Sequence, residues 1–411
     1  MSVVIVGGGQ AGLQVADSLR TEGYSGAVTI VADEPGLPYQ RPPLSKDYLA
    51  PGKEPAPLPV RGVGFFTTKG VRLRAGVSAT VIDRASRAVA LSDGTELPYT
   101  HLVLATGARN RSLACPGAEL AGVHGLRTLS DAQALHAALP SARNVVVVGA
   151  GFIGLEFAAA ASAHGCATTV LEYAARPMSR ALSPAMGDWF ARAHKELGVK
   201  LRLSEGIDRF EAGPDGRIAA AVSTTGRSYP ADLVVVGVGV LPNDTLAGQA
   251  GLETANGIVV DETLRTADPH ILAVGDCANF PNVHAGTRTR LESVQNATDQ
   301  ARHAARTILG AGDPYTAAPW FWSTQGPYRL QMAGLARPDD DTLVLGDQEA
   351  AKFSVLCFRD GMLAAVESVN MPADHMAARK LMAADERITL AQAEAEGFSL
   401  KTAAKATALT A

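Results

Sequence analysis

One pattern of apolar and small residues occurs twice along the chain. In each copy, a run of four apolar residues leads into a glycine-rich turn, a helix of small and apolar residues, and a second apolar run that ends at an acid. The first copy spans residues 3–33 and ends at Asp33, and the second spans residues 145–172 and ends at Glu172. Each predicts a strand–helix–strand unit of about thirty residues, the size of half of a dinucleotide-binding domain. The predicted elements are strands Val3–Val6 and Val28–Val31 around a helix near 10–22, and strands Val145–Val148 and Thr168–Leu171 around a second helix.

The segments between and after these copies predict further strands and a change of pattern near the end. A polar, Pro-rich stretch at 35–59 is predicted to be an irregular loop. Buried strands are expected at Leu102–Ala105, Leu233–Val236 and Ile271–Val274, followed by a helix near 293–309. From Trp320 the pattern is typical of meandering strands followed by helices. Those strands are Leu330–Gly334, Leu343–Leu345, Phe353–Phe358 and Leu363–Val369.

We therefore expect an α/β fold with two Rossmann-like dinucleotide-binding domains and a C-terminal α+β domain. The second domain, residues 112–242, is predicted to be inserted into the first, which comprises residues 1–111 and 243–316. The third domain is predicted to span residues 317–411.

The first glycine-rich turn has the dinucleotide fingerprint Gly7-x-Gly9-x-x-Gly12. The three glycines permit a tight turn, a close approach of backbone to a pyrophosphate, and close packing of helix on strand. The helix start then presents unpaired N–H groups to the phosphates, and Asp33 is placed to accept hydrogen bonds from a ribose.

The second turn, Gly149-x-Gly151-x-x-Gly154, has the same context, with Glu172 as its acid. Two complete fingerprints predict two bound dinucleotides, and FAD with NAD(P) is the usual pair for hydride chemistry. The Glu172 carboxylate would repel a 2′-phosphate, which favours NADH, whereas the nearby Arg176 weakens that preference.

Composition excludes several classes of protein. A formal net charge of −4 provides no global basic field for nucleic acid. The longest apolar runs have the length of strands, and no secretory segment is apparent, so we expect a soluble, cytoplasmic protein that binds no membrane. The cysteines are isolated from one another and predict ordinary thiols and no metal site. They are Cys115, Cys166, Cys277 and Cys357.

Six motifs in order along the chain carry a family resemblance. They are Gly7–Gly12, Arg41-Pro-Pro-Leu-Ser-Lys46, Leu102-Val-Leu-Ala-Thr-Gly107, Gly149–Glu156, Gly275-Asp276 and Trp320-Phe-Trp-Ser323. With them the chain resembles the bacterial FAD-dependent NADH:ferredoxin reductases that serve oxygenase systems. The resemblance implies a glutathione-reductase-like fold, with FAD in the discontinuous domain and NADH in the inserted one. It also implies a [2Fe–2S] ferredoxin as electron acceptor, which feeds a haem monooxygenase or a ring-hydroxylating dioxygenase.

The resemblance implies a set of FAD contacts beyond the first fingerprint. Lys46 would place a cation beside the flavin, Arg127 would neutralise pyrophosphate charge, and Asp276 would accept hydrogen bonds from the ribityl chain. Without the motif context, a surface Lys and a surface Arg would be the simpler interpretations. The complete FAD set is Gly7, Gly9, Ala11, Gly12, Asp33, Arg41, Lys46, Ala79, Thr106, Gly107, Arg127, Asp276, Val294 and Trp322.

The corresponding NAD contacts surround the second fingerprint. Phe152 would shield the flavin until nicotinamide displaces it, or would simply pack. Glu156 lies in an apolar helix, where an acid is costly unless it is paired, and we expect it beside the nicotinamide or Lys46. Lys46 and Glu156 are the residues expected at the reaction centre, in electrostatic and positioning roles only. The NAD set is Gly149, Gly151, Phe152, Ile153, Gly154, Glu156, Glu172, Arg180 and Gly239.

The Trp320-Phe-Trp-Ser323 segment departs from the family pattern at one position. The family commonly has an aspartate after this serine, whereas the present chain has Thr324. One of the two tryptophans is expected near the flavin, and the alternative is that both anchor the third domain.

Several other activities are carried by related scaffolds. Disulfide and peroxide reductases need a redox cysteine soon after the first strand–helix–strand unit, and residues 34–60 contain none. Reduction of rubredoxin, or of a small quinone or radical as in monodehydroascorbate reductases, remains an alternative. A signalling flavoprotein is disfavoured by the absence of a targeting segment.

Overall fold

A computed structural model describes residues 1–384 and 388–410 of the chain. The strands are β1 Ser2–Val6, β2 Ala27–Ala32, β3 Val71–Ala75, β4 Ala79–Asp83, β5 Ala88–Leu91, β6 Glu96–Pro98, β7 His101–Leu104, β8 Ala108–Asn110, β9 Val123–His124, β10 Asn144–Val148, β11 Ala167–Glu172, β12 Lys200–Leu203, β13 Ile207–Ala212, β14 Ile218–Ser223, β15 Ser228–Pro230, β16 Leu233–Val236, β17 Val240–Pro242, β18 Ile258–Val259, β19 Ile271–Ala273, β20 Ala278–Asn282, β21 Thr287–Thr289, β22 Trp320–Gln325, β23 Tyr328–Gly334, β24 Asp341–Asp347, β25 Lys352–Arg359 and β26 Met362–Val369. The α-helices are α1 Gln10–Thr21, α2 Val63–Lys69, α3 Leu129–Ala138, α4 Phe152–Ala163, α5 Pro184–Glu196, α6 Thr245–Gln249, α7 Val294–Ile308, α8 Pro372–Met382, α9 Leu390–Ala393 and α10 Leu400–Thr410.

The chain forms two compact units, each assembled from separate segments. The first unit comprises residues 1–40, 57–109 and 240–317. The second comprises residues 41–56, 110–239 and 318–411. The predicted division into three domains at 111, 242 and 316 remains a prediction.

The first unit contains a five-stranded parallel sheet in the order β19-β7-β1-β2-β3. Its central strands are rich in Val and Ile and almost fully buried, as expected of a parallel sheet covered on both faces. Helices α1 and α7 are connected by a hydrogen bond from Gln10 Nε2 to Thr298 Oγ1 of 3.1 Å. Because the five strands run parallel, their carboxyl ends meet at one edge of the sheet, where ligands bind in sheets of this type.

The second unit repeats this plan and adds an antiparallel sheet. Its parallel sheet has the order β12-β11-β10-β16-β9, and helices α4 and α5 follow β10 and β11 along the chain. The C-terminal sheet is antiparallel in the order β22-β23-β26-β25-β24, and α8 packs against its apolar residues. The Trp320-Phe-Trp-Ser323 segment is thus itself the first strand of this sheet, before the strands that the sequence predicts.

The Pro-rich stretch contains more regular structure than expected. Pro42–Ser45 and Asp47–Leu49 form two short 3-10 helices, with prolines at the first positions of Pro42–Ser45. Proline is preorganised for a helix start and lacks an N–H that would be unpaired there, so Pro42 and Pro43 begin this turn instead of breaking it. The prediction of an irregular loop was wrong for these residues.

Across the described residues, no helix combines the length and the apolar character that crossing a membrane requires.

Candidate functional site

The glycines of the first fingerprint have two different roles. Gly7 has a φ of +118°, and a Cβ added to it would lie 2.0 Å from the carbonyl oxygen of Ala105. A Cβ on Gly12 would lie 1.9 Å from the carbonyl oxygen of Gly7. A Cβ on Gly9 would meet no atom within 4 Å. Gly7 and Gly12 are thus required by the fold, whereas the space beside Gly9 is open.

This open space lies at the start of α1, where no side chain caps the helix. The first-turn N–H groups and the positive end of the helix dipole are therefore available to an anion. A pyrophosphate fits both the open space beside Gly9 and the positive end of α1. The first cradle is therefore suited to bind a dinucleotide.

Other predicted FAD residues of the first unit follow the carboxyl ends of neighbouring strands. Asp33 follows β2, Thr106 and Gly107 follow β7, and Asp276 follows β19. A Cβ on Gly275 would lie 3.1 Å from Cβ of Ala11, so this segment packs directly on α1.

The other members of the first-unit set occupy different positions. Val294 is the first residue of α7, whose cap residue Ser293 accepts a hydrogen bond of 3.0 Å from Asn296 N–H. Asp33 is exposed and accepts a 3.0 Å hydrogen bond from the Glu34 N–H. Ala79 is the first residue of β4, which is not one of the five strands of the parallel sheet.

The second cradle has the same backbone design. Gly149 has a φ of +102°, and its added Cβ would lie 2.5 Å from the carbonyl oxygen of Gly237. A Cβ on Gly154 would lie 2.2 Å from the Gly149 carbonyl oxygen, whereas the nearest atom to a Cβ on Gly151 is 3.9 Å away. The middle glycine again leaves room for a ligand, here at the start of α4.

Glu172 has a structural contact that the sequence did not predict. One of its carboxylate oxygens accepts a 2.6 Å hydrogen bond from the N–H of Ala150, inside the second cradle. The other accepts a 2.7 Å hydrogen bond from the N–H of Ala174. The acid expected to face a ribose therefore also braces the glycine loop, and its negative charge is fixed beside that loop.

The remaining predicted NAD residues lie around this cradle with different exposure. The ring of Phe152 packs against Phe321, with 4.7 Å between centroids. Ile153 is 43% exposed at the first turn of α4, and Arg180 is exposed in the loop after β11. Gly239 follows β16 with a φ of +97°.

Glu156 and Lys46 form a close ion pair within the second unit. The Lys46 Nζ lies 2.7 Å from a carboxylate oxygen of Glu156, whose side chain is 2% exposed. Ser45 donates to the same oxygen at 2.5 Å, and Ser323 donates to the other at 2.6 Å. Of the two neighbours considered for Glu156, the structure places Lys46 beside it. A buried acid with two hydroxyl donors and a paired cation is the arrangement that such a group needs.

Arg41 and Arg127 are brought together in the second unit by the start of α3. Arg41 Nη1 donates to the carbonyl oxygen of Arg127 at 2.8 Å. The Arg127 N–H donates to Asp131, which also forms the capping box of α3 with Thr128. The backbone at Arg127 is thereby fixed by a helix terminus.

The two tryptophans of β22 differ in their surroundings. The guanidinium of Arg379 lies 4.2 Å from the ring centroid of Trp320, and His375 contacts the same ring edge-on at 5.7 Å. Trp320 thus anchors α8 to the sheet. Trp322, the predicted FAD neighbour, is half-buried and packs beside Trp320 at 5.7 Å between centroids.

Three residues of this region were missed as functional candidates. Ser45 and Ser323 lie inside motifs that carry the family resemblance, so their position was a usable signal. Phe321 lies between the two tryptophans of the same motif, so its position was also a usable signal. No local sequence feature links Ser323 to an acid that precedes it by more than 160 residues.

Comparison with known proteins agrees with this geometry. Residues 1–301 match the model of the pyridine nucleotide-disulphide oxidoreductases, and residues 320–404 match the reductase C-terminal model. The chain belongs to the pyridine nucleotide-disulphide oxidoreductase family. It is 50% identical over 98% of its length to rhodocoxin reductase of Rhodococcus erythropolis, of which the match covers 94%.

Two solved structures of family members are similar over almost the whole chain. The ferredoxin reductase for the CYP199A2 system from Rhodopseudomonas palustris is 46% identical, with a TM-score of 0.95 and coverage of 98% of this chain and 99% of that one. The covalent putidaredoxin reductase–putidaredoxin complex is 37% identical, with a TM-score of 0.94 and the same coverage.

Family membership confirms the predicted fold class, an oxidoreductase activity, and FAD and a pyridine nucleotide as cofactors. It also confirms the resemblance from which most of the individual contacts were inferred. Those contacts themselves remain predictions.

Proposed function

We propose that this oxidoreductase transfers electrons from NADH through FAD to a [2Fe–2S] ferredoxin of an oxygenase system. The observation that carries the proposal is the duplicated cradle, with room for a ligand beside Gly9 and again beside Gly151. When bound, FAD supplies a hydride acceptor for NADH and a donor of single electrons to an iron–sulfur protein.

The protein's own residues have binding and electrostatic roles in this scheme. Gly9 and the start of α1 bind one pyrophosphate, and Gly151 and the start of α4 bind the other. Asp33 and Glu172 accept hydrogen bonds from the two adenosine riboses. Lys46 places a positive charge at the flavin, and Glu156 orients that charge through their 2.7 Å contact.

The fixed carboxylate of Glu172 supports NADH over NADPH. Because both of its oxygens accept backbone N–H groups, the carboxylate cannot turn away without losing two hydrogen bonds. The 2′-phosphate of NADPH would lie close to this carboxylate and would be repelled by its negative charge.

The cysteines support an acceptor other than a disulfide. All four are free thiols, and three of them are buried. Cys277 is fully buried in the first unit, and burial raises the pKa of its thiol. A redox cysteine needs an accessible thiolate, which this site does not provide.

The choice of a ferredoxin rests on the relatives. Rhodocoxin reductase, the CYP199A2 ferredoxin reductase and putidaredoxin reductase are each named for a redox-protein partner or system. Rubredoxin and small quinones are the alternative acceptors. A cytoplasmic location is part of the proposal, since NADH is generated in that compartment.

The proposal is tested by NADH-driven reduction of cytochrome c with the FAD-loaded protein. Candidate [2Fe–2S] ferredoxins are added in turn, with a rubredoxin and a small quinone in parallel. We expect at least one ferredoxin to stimulate the rate in a saturable way. Fast quinone reduction with no stimulation by any ferredoxin would contradict the proposed acceptor.

A further inference from the structure

A line of buried polar side chains continues from Glu156 into the interior of the second unit. Ser323 contacts Glu156, Gln325 contacts Ser323 through Nε2 at 3.1 Å, and His194 Nε2 lies 2.7 Å from Gln325 Oε1. Ser323, Gln325 and His194 are each 0% exposed. We call these three residues the donor chain.

The direction of each hydrogen bond follows from the chemistry of the carboxylate. An ionised carboxylate can only accept hydrogen bonds, so Ser323 donates its one hydroxyl hydrogen to Glu156. The Ser323 oxygen must then accept from the Gln325 amide NH2, which leaves the amide oxygen facing His194. His194 therefore carries a proton on Nε2, and all three residues donate toward Glu156.

The second hydrogen of the Gln325 amide is also accounted for. Gln325 Nε2 lies 3.4 Å from Sδ of Met178, a weak acceptor. Both polar ends of this amide are thus occupied, which fixes its orientation. The Ser323 hydroxyl and the Gln325 amide are therefore held in one orientation, because rotation of either would leave a buried polar group unpaired, whereas Nδ1 of His194 has no hydrogen-bond partner within the described part of the chain.

The far end of the donor chain is electrically neutral. Burial lowers the pKa of His194, and its hydrogen bond to Gln325 opposes this only in part. A neutral imidazole adds no positive charge behind Glu156. The carboxylate consequently has Lys46 as its one ion-pair partner in the described part of the second unit.

The position that departs from the family pattern lies outside the donor chain. Side chains alternate between the two faces of a strand, so Ser323 and Gln325 share one face of β22 and Thr324 lies on the other. Thr324 is half-buried and makes none of these contacts.

We propose that the donor chain positions the Glu156 carboxylate and, through it, the Lys46 ammonium, with His194 as the terminal positioning residue. The inference rests on the proposed function in one respect, namely that Lys46 lies at the bound FAD. Loss of a donor would let Glu156 turn and draw Lys46 from its place. Since a cation near the cofactor favours its reduction, we expect the midpoint potential of bound FAD to become more negative.

The test compares the two-electron midpoint potential of the holoenzyme in four variants and one control variant, measured by reductive titration against indicator dyes. Lys46→Met establishes whether the cation affects FAD. Ser323→Ala and His194→Phe remove donors from the chain, and each is expected to shift the reduction equilibrium about tenfold, equivalent to roughly 30 mV for two electrons. His194→Gln retains an N–H donor and should restore a potential close to that of the wild type.

Ser354→Ala is the matched control for Ser323→Ala. Ser354 is also a fully buried serine of the C-terminal sheet, and it hydrogen-bonds to Ser368 and Asp374 instead of the donor chain. It should lose similar thermal stability without a shift in potential. A shift as large as that of Ser323→Ala would assign the effect to general loosening of the sheet and overturn the proposal.

Two failures can be told apart. If Lys46→Met shifts the potential and the donor-chain variants do not, the positioning role is wrong and the proposed function stands. If Lys46→Met has no effect either, Lys46 does not lie at FAD and both proposals fail on that point.

A spectroscopic readout tests the direction of the bonds without reference to FAD reduction. Long-range ¹⁵N NMR of histidine-labelled holoenzyme, with the His194 signal assigned from His194→Phe, should report a neutral Nε2–H tautomer. Gln325→Ala removes the acceptor of this N–H and should shift the Nε2 resonance of His194. A neutral Nδ1–H tautomer in the wild type would overturn the assigned order of donors.

Discussion

The two compact units share a glycine cradle on a parallel sheet and differ in the charge that they bury. Among the described residues, every buried Asp, Glu and His belongs to the second unit. They are Glu156, His194, Glu205, Asp340, Glu367 and His375. The buried polar side chains of the first unit are hydroxyls and amides, such as those of Thr29, Gln300 and Thr307.

The two units therefore share the backbone geometry for binding phosphate and differ in their buried charge. The glycine fingerprint alone does not reveal the second property. Backbone geometry is enough to form a phosphate cradle, and it is nearly the same in both units. Ionisable groups placed in a low-dielectric interior interact strongly and titrate away from their usual range. We therefore expect electrostatic and pH effects on this protein to originate mainly in the second unit.

The largest expected effect comes from breaking the buried ion pair. Lys46→Met leaves the Glu156 carboxylate buried without a cation, which should lower the free energy of unfolding by about 3 to 5 kcal/mol. Arg61→Met breaks the half-buried pair with Asp17 in the first unit, 2.8 Å apart, and leaves Asp17 with Lys69 at 4.0 Å, so it should lower the free energy of unfolding by less than about 1 kcal/mol. Urea midpoints of FAD-saturated protein measure both.

A second substitution checks the cause of that loss. In Lys46→Met combined with Glu156→Gln, no uncompensated charge remains, so much of the stability should return. Equal losses in Lys46→Met and Arg61→Met would mean that the second unit does not bury its charge in the way described.

Glu367 is expected to make the stability of the second unit depend on pH. It accepts from the Ser183 N–H and hydroxyl at 2.9 and 2.6 Å, and burial raises its pKa from 4.5 to about 7. Because the folded pKa is the higher one, the stabilising effect is complete below about pH 4.5 and is lost as pH rises through about 7. The difference corresponds to roughly 3 kcal/mol.

The measurement is the unfolding midpoint of the wild type and Glu367→Gln between pH 5 and pH 8. The variant should gain on the wild type as pH rises, since the amide does not ionise. A constant difference across this range would contradict the raised pKa.

The middle glycines test whether each cradle serves its own ligand. A Cβ on Gly9 meets nothing within 4 Å, so Gly9→Ala should fold normally while its methyl group fills space needed by FAD. We expect about a 30-fold loss of FAD affinity, or about 2 kcal/mol, as for other overpacked sites. Gly151→Ala should instead retain FAD and weaken NADH binding.

Gly7→Ala is the contrasting control, because its Cβ would collide with the Ala105 carbonyl and the apoprotein itself should be destabilised. Thermal unfolding of the apoproteins and titration with each cofactor distinguish the three variants. Loss of FAD from Gly151→Ala, with FAD retained in Gly9→Ala, would reverse the assignment of the two cradles.

The smallest effect concerns the acids at the ends of β2 and β11. Glu172→Ala should lower the ratio of kcat/KM for NADH to that for NADPH about tenfold, or about 1.4 kcal/mol. The ratio is the useful quantity, because losing the Ala150 contact loosens the loop for both nucleotides. Asp33→Ala should leave this ratio unchanged and weaken FAD binding, and an unchanged ratio in Glu172→Ala would remove the ribose assignment.

Much of the architecture could be predicted from the sequence because its signals are local. The strand runs and the glycine spacing of both cradles follow from neighbouring residues, and the helix over 294–308 was expected within one residue at each end. The 3-10 turns at 42–49 were not predicted, since proline can begin a turn as well as break one.

The polar contacts were harder to predict because they depend on long-range packing. Glu156 stood out as an acid in an apolar helix, yet Ser323 and His194 gave no comparable signal. They meet near Glu156 only after α5 and β22 have packed around α4. The bracing of the second cradle by Glu172 was likewise invisible, because a ribose contact and a loop contact require the same residue type.

Anaerobic rapid mixing tests the central claim most directly, since it follows the two halves of the reaction separately. The FAD-loaded protein is mixed first with NADH and then with an oxidised [2Fe–2S] ferredoxin, and the absorbance of flavin and cluster is recorded. We predict rapid bleaching of the flavin by NADH, followed by its recovery as two equivalents of ferredoxin are reduced. A flavin that is bleached by NADH but is not reoxidised by any ferredoxin, while a small quinone reoxidises it at once, would contradict the account.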